Sequence, residues 1–470
     1  MQRFQSIDDL EAMLGTNLSP AEQKLISICS QPSLKGVKYD FGGPVDGGRK
    51  AKVDPGRQIR TEILLHCLYD LFETWSQRNR LFKIIGAQIV GKLPFLADSR
   101  IAASVIFEDC IFQADIEAPR LQVDGDLVFK NCHIQYLNLS GANIGGGLRF
   151  EGLSSRGRPD RGGRSLRLQN TCVGGALIIR KSDTNNTVSG VIDLTAASVG
   201  SLIDDAHYCS EKAQYILAGF TYDRLDGAAP KDAENRLAWL AKGDTWHDHF
   251  SPQPYKQLAN VLHDMGHEAD AREVLYVLEK KLGAERRKAL RKEIETLRDT
   301  SPSLGRRVAK HLLLGADHAI DWLQRVTVGY GRKPFRSIGV LAGLILAFWM
   351  LTVATWHTGG FAPNSSIVLT SQDWATYDTR DTLPAPRNPA YHWSETTIPG
   401  RDWESFSAIA YAADVVVPII DFGQTEAWAP STTRGPAGVM LWWARWIFTL
   451  AGWIVTALGA AALTGIIRRE

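Results

Sequence analysis

Two stretches of this chain are apolar enough to cross a bilayer, and no other feature limits its fold as tightly. They are residues 337–356 (SIGVLAGLILAFWMLTVATW) and 446–467 (WIFTLAGWIVTALGAAALTGII). Each approaches the roughly 20 residues that a ~30 Å hydrocarbon core demands. Everything between them, and the long soluble part before them, must fit a two-span plan.

Between the spans lies DWESFSAIAYAADVVVPIIDFGQ, residues 402–424. Residues 403–417 are amphipathic: Phe406, Ile409, Ala410, Ala413 and Val417 recur at helical spacing. The stretch is too short to span. Pro418 stops it, and an acidic turn, Asp421-Phe-Gly-Gln-Thr-Glu426, follows. Span, short re-entrant helix, polar turn, span is the plan of a pore-loop channel. Irregular backbone at membrane depth survives only when buried in protein or lining a wet cavity. On this reading Asp414, Pro418, Asp421 and Glu426 are pore residues, and in a ring of subunits the acids form collars that favour cations. The alternative is a helix lying on the outer membrane surface or capping an oligomer, with those acids merely exposed.

With 470 residues and a net charge of +2, the chain has room for two or three domains and is not globally a nucleic-acid binder. Its first residues, MQRFQSIDDLEAML, lack the apolar core of a signal peptide. Arg332, Lys333 and Arg336 precede the first span, and Arg468 and Arg469 follow the second. The positive-inside rule then puts both termini in the cytoplasm and the connecting loop outside. All six cysteines precede the spans and none is spaced C-x-x-C, so free thiols are expected.

The soluble part opens with a helical cap, residues 1–80. Ser19-Pro-Ala-Glu22 reads as a helix start, residues 33–56 as a Gly/Pro/Lys loop, and residues 59–77 as an amphipathic helix. Residues 81–205 repeat. Val105-Ile-Phe-Glu-Asp-Cys110 recurs as Leu127-Val-Phe-Lys-Asn-Cys132. A second phrase runs Leu137-Asn-Leu139…Ile144-Gly, then Leu166-Arg-Leu168…Val173-Gly, then Ile192-Asp-Leu194…Val199-Gly. Apolar alternation with turn glycines, at about 20 residues per coil, predicts a right-handed-type β-solenoid whose stacked coils share one core. Cys110 and Cys132 then occupy equivalent inward positions. Residues 206–326 form a helical linker region. Residues 206–250 carry aromatics suited to closing the solenoid. From Pro252 two antiparallel helices meet at Gly266, as in a tetratricopeptide-type unit. A charged helix follows over 286–298, and a basic amphipathic helix over 305–326 lies along the membrane face. Residues 327–470 are the transmembrane pore domain.

Two insertions break the repeat: residues 152–164 (GLSSRGRPDRGGR) and 182–189 (SDTNNTVS). The first, with its neighbours, gathers Arg149, Arg156, Arg158, Arg161, Arg164, Arg167, Arg180 and Lys181. One reading is a solvated surface loop. The other is an anion site for a nucleotide, an oligonucleotide or a phospholipid headgroup. Thr327-Val-Gly-Tyr-Gly331 spells a potassium-filter sequence but follows a polar helix and no earlier span, so it reads as a bend. His263 and His267, with His247 and His249 upstream, lack a metalloprotease pattern, and no metal is expected. Gly141-Ala-Asn-Ile-Gly-Gly-Gly147 is not a dinucleotide loop. No cofactor and no enzyme chemistry are expected. Arg445, among Trp442, Trp443 and Trp446, reads as a snorkelling arginine in an interfacial belt at the outer edge of the second span.

The chain resembles a bacterial family of β-solenoid membrane proteins often labelled "membrane-associated oxidoreductase" or pentapeptide-repeat-like. The phrases that carry the resemblance are the solenoid coils, Ser251-Pro-Gln-Pro-Tyr-Lys-Gln-Leu-Ala259, Val328-Gly-Tyr-Gly-Arg-Lys-Pro334 and Pro418-Ile-Ile-Asp-Phe-Gly-Gln424. The oxidoreductase label finds no cofactor motif here. In plan the chain also resembles membrane effectors of anti-phage defence, such as Hailong-type systems, in which a DNA oligomer controls a tetrameric channel. The expectation is therefore a homo-oligomeric, tetrameric inner-membrane channel. A cytoplasmic sensing domain would gate it, with a nucleotide or DNA oligomer and the enzyme that makes it as partners. The rival is a membrane-anchored binding scaffold without a pore, and a third class is a redox enzyme.

Overall fold

A computed structural model describes residues 11–12, 17–29, 37–42, 54–68, 81–91, 97–182, 187–205, 213–243, 250–299, 304–377, 383–384 and 386–464. It divides into two compact units, 1–278 and 279–470.

The first unit is a β-solenoid of about 6 turns. Its longest sheet is wholly parallel and includes Leu81–Ile85, Ser104–Glu108, Leu127–Lys130, Leu148–Glu151, Cys172–Arg180, Ser198–Asp204 and Thr221–Leu225. A second parallel sheet runs through Ile116–Glu117, Leu137–Asn138, Arg164–Arg167, Val191–Asp193 and Gln214–Ile216. The repeated phrases of the sequence are the pairing register. Val105 lies beside Leu127 and Phe107 beside Phe129. Leu137 pairs with Leu166, Leu166 with Ile192, and Val173 with Val199. Phe107, Phe129 and Phe150 stack at 5.5 and 5.8 Å along the core. Cys110 and Cys132 are buried, as their matched places require.

Each coil must turn sharply after its strand, and the turn residues form columns. Gly86, Asp109, Asn131 and Gly152 all take the left-handed conformation one residue after a strand of the long sheet. Asn and Asp tolerate that region best among residues with a Cβ. Asn131 donates to Asp109 across the coils at 3.1 Å. The parallel pairing continues past residue 205. Tyr215 sits beside Ile192 and Tyr222 beside Val199, so these aromatics are repeat positions of a further coil.

The helix Pro20–Cys29 begins with the capping box read from the sequence. The Glu22 N–H donates to Ser19 Oγ at 3.1 Å, and the Ser19 N–H donates to Glu22 Oε2 at 2.8 Å. Ile59 and Arg60 belong to a strand, Gln58–Arg60, and the helix starts only at Thr61 and runs to Leu68. Pairing of Ile59 with Ile89 overrides the helical period there. Residues 69–80 lie outside the described residues, as does most of the 33–56 loop. Glu22 is buried and takes Nε and Nη2 of Arg60, both at 2.9 Å. Burial pushes its carboxyl up, but the Arg60 guanidinium and the backbone N–H groups of Ser19 and Arg60 outweigh this and hold it below the usual range. A depressed folded-state pKa gives stability that is present above the unfolded value of about 4.3 and is lost as pH falls through the folded value. We expect Glu22→Gln to lower stability by about 3 kcal/mol at pH 7. The loss should shrink in acid, as read by denaturant melts between pH 3 and 7.

Further on, Asp232 caps the helix Ala233–Ala241. Gln253–Asp264 and the following helix meet at Gly266, in the left-handed region. That following helix is continuous over Glu268–Asp299, so the charged segment 286–298 is its second half and not a separate helix.

In the second unit, the helix Leu304–Thr327 ends at three successive left-handed residues, Gly329, Tyr330 and Gly331. The potassium-filter look-alike is a bend. Two helices, Arg336–His357 and Pro436–Leu463, are long and apolar enough to cross a membrane. The second starts ten residues before the apolar window read from sequence, because Pro436 is well suited to a first helical turn. Arg445 therefore lies within this helix, beside the Trp446 ring at 5.5 Å. Residues 465–470, with Arg468 and Arg469, are outside the described residues.

Candidate functional site

The amphipathic stretch between the spans becomes a helix only over Ala408–Val416. Its predicted first turn does not form, because the backbone of 404–407 is committed elsewhere. The Glu404 carbonyl accepts Trp428 Nε1–H at 2.9 Å, and the Ser405 carbonyl accepts Gln424 Nε2–H at 2.9 Å. The Ser407 N–H donates to Gln424 Oε1 at 2.8 Å. The helix stops at Val416, two residues before Pro418, as the restriction on the residue before proline predicts.

Contacts place this helix step by step along the two long ones. Phe406, just ahead of it, stacks on Trp356 with centroids 3.9 Å apart. Tyr411 stacks on Phe348, 6.4 Å away. Val416 reaches Gly452, where an added Cβ would lie 1.7 Å from the Val416 carbonyl oxygen. Gly438 marks the other end of that long helix, packed on the Ser431 and Gly360 carbonyls. Fourteen residues separate Gly438 from Gly452 in one helix, or about 21 Å at roughly 1.5 Å per residue. The chain then returns. Trp428–Pro430 pairs antiparallel with Phe361–Pro363, level with the start of the descent.

The return segment is fixed by two side chains. Asp414 accepts the backbone N–H of Phe422 at 2.7 Å, of Gln424 at 2.8 Å and of Thr425 at 3.3 Å. Gln424 is buried and makes the bonds to 405 and 407 already described. Asp421 accepts the N–H of Gly423 at 2.8 Å, and Gly423 is in the left-handed region that such a turn requires. The segment's outer side is uncovered among the described residues. Ile419 is 82 % exposed, and Asp421 and Phe422 are exposed as well.

Of the four sequence-predicted pore residues, Asp414, Pro418 and Asp421 therefore share one helix-and-turn. Glu426 is exposed on the short helix Gln424–Ala427. Asp414 holds the hairpin from inside, with both carboxylate oxygens occupied. We expect Asp414→Ala to strand three N–H groups, at about 1–3 kcal/mol each. A cysteine placed at Phe422 should then react with maleimide several-fold faster. Sequence reasoning missed Gln424 and Gly452. A lone amide after an apolar run and a glycine in a span were their only signals. It also missed two buried polar atoms with no hydrogen-bond partner, Tyr411 Oη and Trp393 Nε1.

The eight basic residues of the soluble unit do not form an open cluster. Arg149 meets Asp126 at 3.3 Å, Arg161 meets Glu117 at 3.1 Å and Arg164 meets Asp193 at 2.9 Å. Arg158 meets both Asp160 and Asp115, Arg180 meets Glu151 at 2.8 Å, and Arg167 donates twice to Gln169. Among the described residues, Arg156 and Lys181 are exposed with no hydrogen-bond or ion-pair partner. All of these acids except Asp160 come from other coils. Glu108, Lys130, Glu151 and Arg180 stand in one register column of alternating sign. His263 sits 2.7 Å from Glu268, and His267 lies 4.0 Å from Asp270; His247 and His249 are outside the described residues.

Comparison with protein-family models, curated proteins and solved structures gave no match.

Proposed function

We propose that this chain is the subunit of a homo-oligomeric ion channel, with two membrane spans and a re-entrant helix, Ala408–Val416, per subunit. One observation carries the reading: a short helix and an irregular return segment descend about 21 Å along a helix long enough to cross a membrane. At that depth backbone N–H and C=O groups and the Asp421 carboxylate cannot face lipid without a large cost. Copies of the same surface are the natural cover, and a wet axis between them is where Asp421 would sit. Four subunits in an inner membrane, with both termini in the cytoplasm, complete the proposal. The basic residues Arg332, Lys333 and Arg336 beside the first span support that orientation.

Gating by an anionic nucleotide or DNA oligomer belongs to this proposal with a narrower footing, Arg156 and Lys181, since the other six basic side chains are engaged within the chain. A ligand shifts conductance only through different affinities for open and closed states. A second reading, an anchored scaffold without a pore, draws on the same self-paired charges, which leave a neutralised surface. The deciding experiment reconstitutes purified full-length chain into liposomes with a potential-sensitive dye and counts subunits by single-particle imaging. Ion flux from a symmetric ring is expected. A monomer or dimer that passes no ions, with or without nucleotides or short DNA, would establish the scaffold instead.

A further inference from the structure

The helix Leu304–Thr327 is built inside out for a water-soluble surface. Its acidic side chains face protein. Asp321 accepts the Tyr330 hydroxyl at 2.7 Å and meets Arg287 at 3.1 Å; Asp317 meets Arg287 at 3.5 Å. Lys310, on the same side, meets Glu293 at 2.8 Å. All these partners lie on Glu268–Asp299 or in the bend. The apolar side chains face outward instead. Val308, Leu312, Trp322 and Val326 fall on one face at helical spacing, and Trp322 is 63 % exposed. Between the two sides runs a third stripe, His311, His318 and Arg325, recurring every seven residues and exposed.

A bare apolar stripe needs an occupant, and chain continuity names it. Eight residues lie between Thr327 and Arg336, where the first long apolar helix begins. Across that bend the exposed apolar surface continues through Phe335, 77 % exposed, and Ile338. Arg325 and Arg336, both exposed, flank it. An apolar stripe, a cationic edge and a tryptophan are the features of a helix lying in a lipid headgroup layer. We propose that Leu304–Thr327 lies in the bilayer interface, with Val308, Leu312, Trp322 and Val326 among the acyl chains. His311, His318 and Arg325 then lie at headgroup level, and Asp317 and Asp321 are turned to the protein. This placement does not require the assembly to conduct ions.

The test installs the photocrosslinking residue benzoylphenylalanine, one position at a time, in the full-length chain. Each variant is reconstituted into liposomes of phosphatidylethanolamine and phosphatidylglycerol carrying tritiated acyl chains. Light should attach lipid at Leu312, Trp322 and Val326, and little at His311 or His318, giving a helical period. Chain–chain adducts at the apolar positions would assign the face to a second copy. Equal labelling at all five positions, or none, would overturn the placement outright. Elution at the wild-type volume in size-exclusion chromatography confirms that each variant is folded.

Discussion

On the channel proposed above, liposomes carrying Gly452→Leu should lose ion flux, while Gly343→Leu retains most of it. At Gly452 even a Cβ meets the Val416 carbonyl oxygen at 1.7 Å; at Gly343 it meets nothing within 4 Å in the subunit. Backbone cannot step aside as a long side chain can. Overpacking costs about 1–3 kcal/mol, occasionally more, and a clash with a carbonyl belongs at the top of that range. About 3 kcal/mol is roughly a hundredfold in the ratio of docked to undocked hairpin. Gly452→Ala should show the same defect in weaker form. The flux assay is read beside thermal unfolding of the second unit. Wild-type flux from Gly452→Leu would overturn the proposed role of the docked hairpin in conduction.

The second large effect lies in the soluble unit. Arg236, 1 % exposed, grips Asp204 with both terminal nitrogens, at 2.9 and 2.7 Å, and donates Nε–H to the Pro230 carbonyl at 2.6 Å. It joins the helix Ala233–Ala241 to the strand Ser198–Asp204, and no other buried arginine is found among the described residues. Removing one member leaves the other charged and buried, at about 3–5 kcal/mol. Asp204→Ala and Arg236→Met should each lower the melting temperature of the soluble unit by roughly 10 °C. The double variant Asp204→Leu, Arg236→Met should recover much of the loss, because an apolar pair carries no desolvation debt. Circular dichroism melts of the full chain in detergent, followed at a β-sheet wavelength, measure all three.

What the sequence exposed best was periodic. The coil phrases at 105–110, 127–132, 137–145, 166–174 and 192–200 proved to be the pairing register, because parallel coils put like residues side by side. Two coils escaped notice where composition drifted. Ala118 stands where its neighbours have leucine, Tyr215 where they have isoleucine or leucine, and Tyr222 where they have valine or isoleucine. The two long helices were visible from hydropathy, though Pro436 and the tryptophans after it pushed one start outside the apolar window. Less visible was anything decided by long-range hydrogen bonds. No local pattern says that residues 404–407 give their backbone to Gln424 and Trp428, or that Asp414 is occupied by three amides. The arginine cluster is hard to read for the same reason. In one dimension it is concentrated positive charge, and the fold sets an acid or amide beside six of the eight, five of them across coils and Arg167 beside Gln169 on its own coil.

That stacking has a consequence for how the solenoid finds its threading. The apolar interior alone would tolerate a coil skipping its neighbour, since Phe107 would meet Phe150 and Phe129 would meet Ile179. The flank does not tolerate it. A skip would seat Glu108 against Glu151 or Lys130 against Arg180, a like-sign penalty in either case. The charged edge thus proofreads the order in which interchangeable coils are laid down.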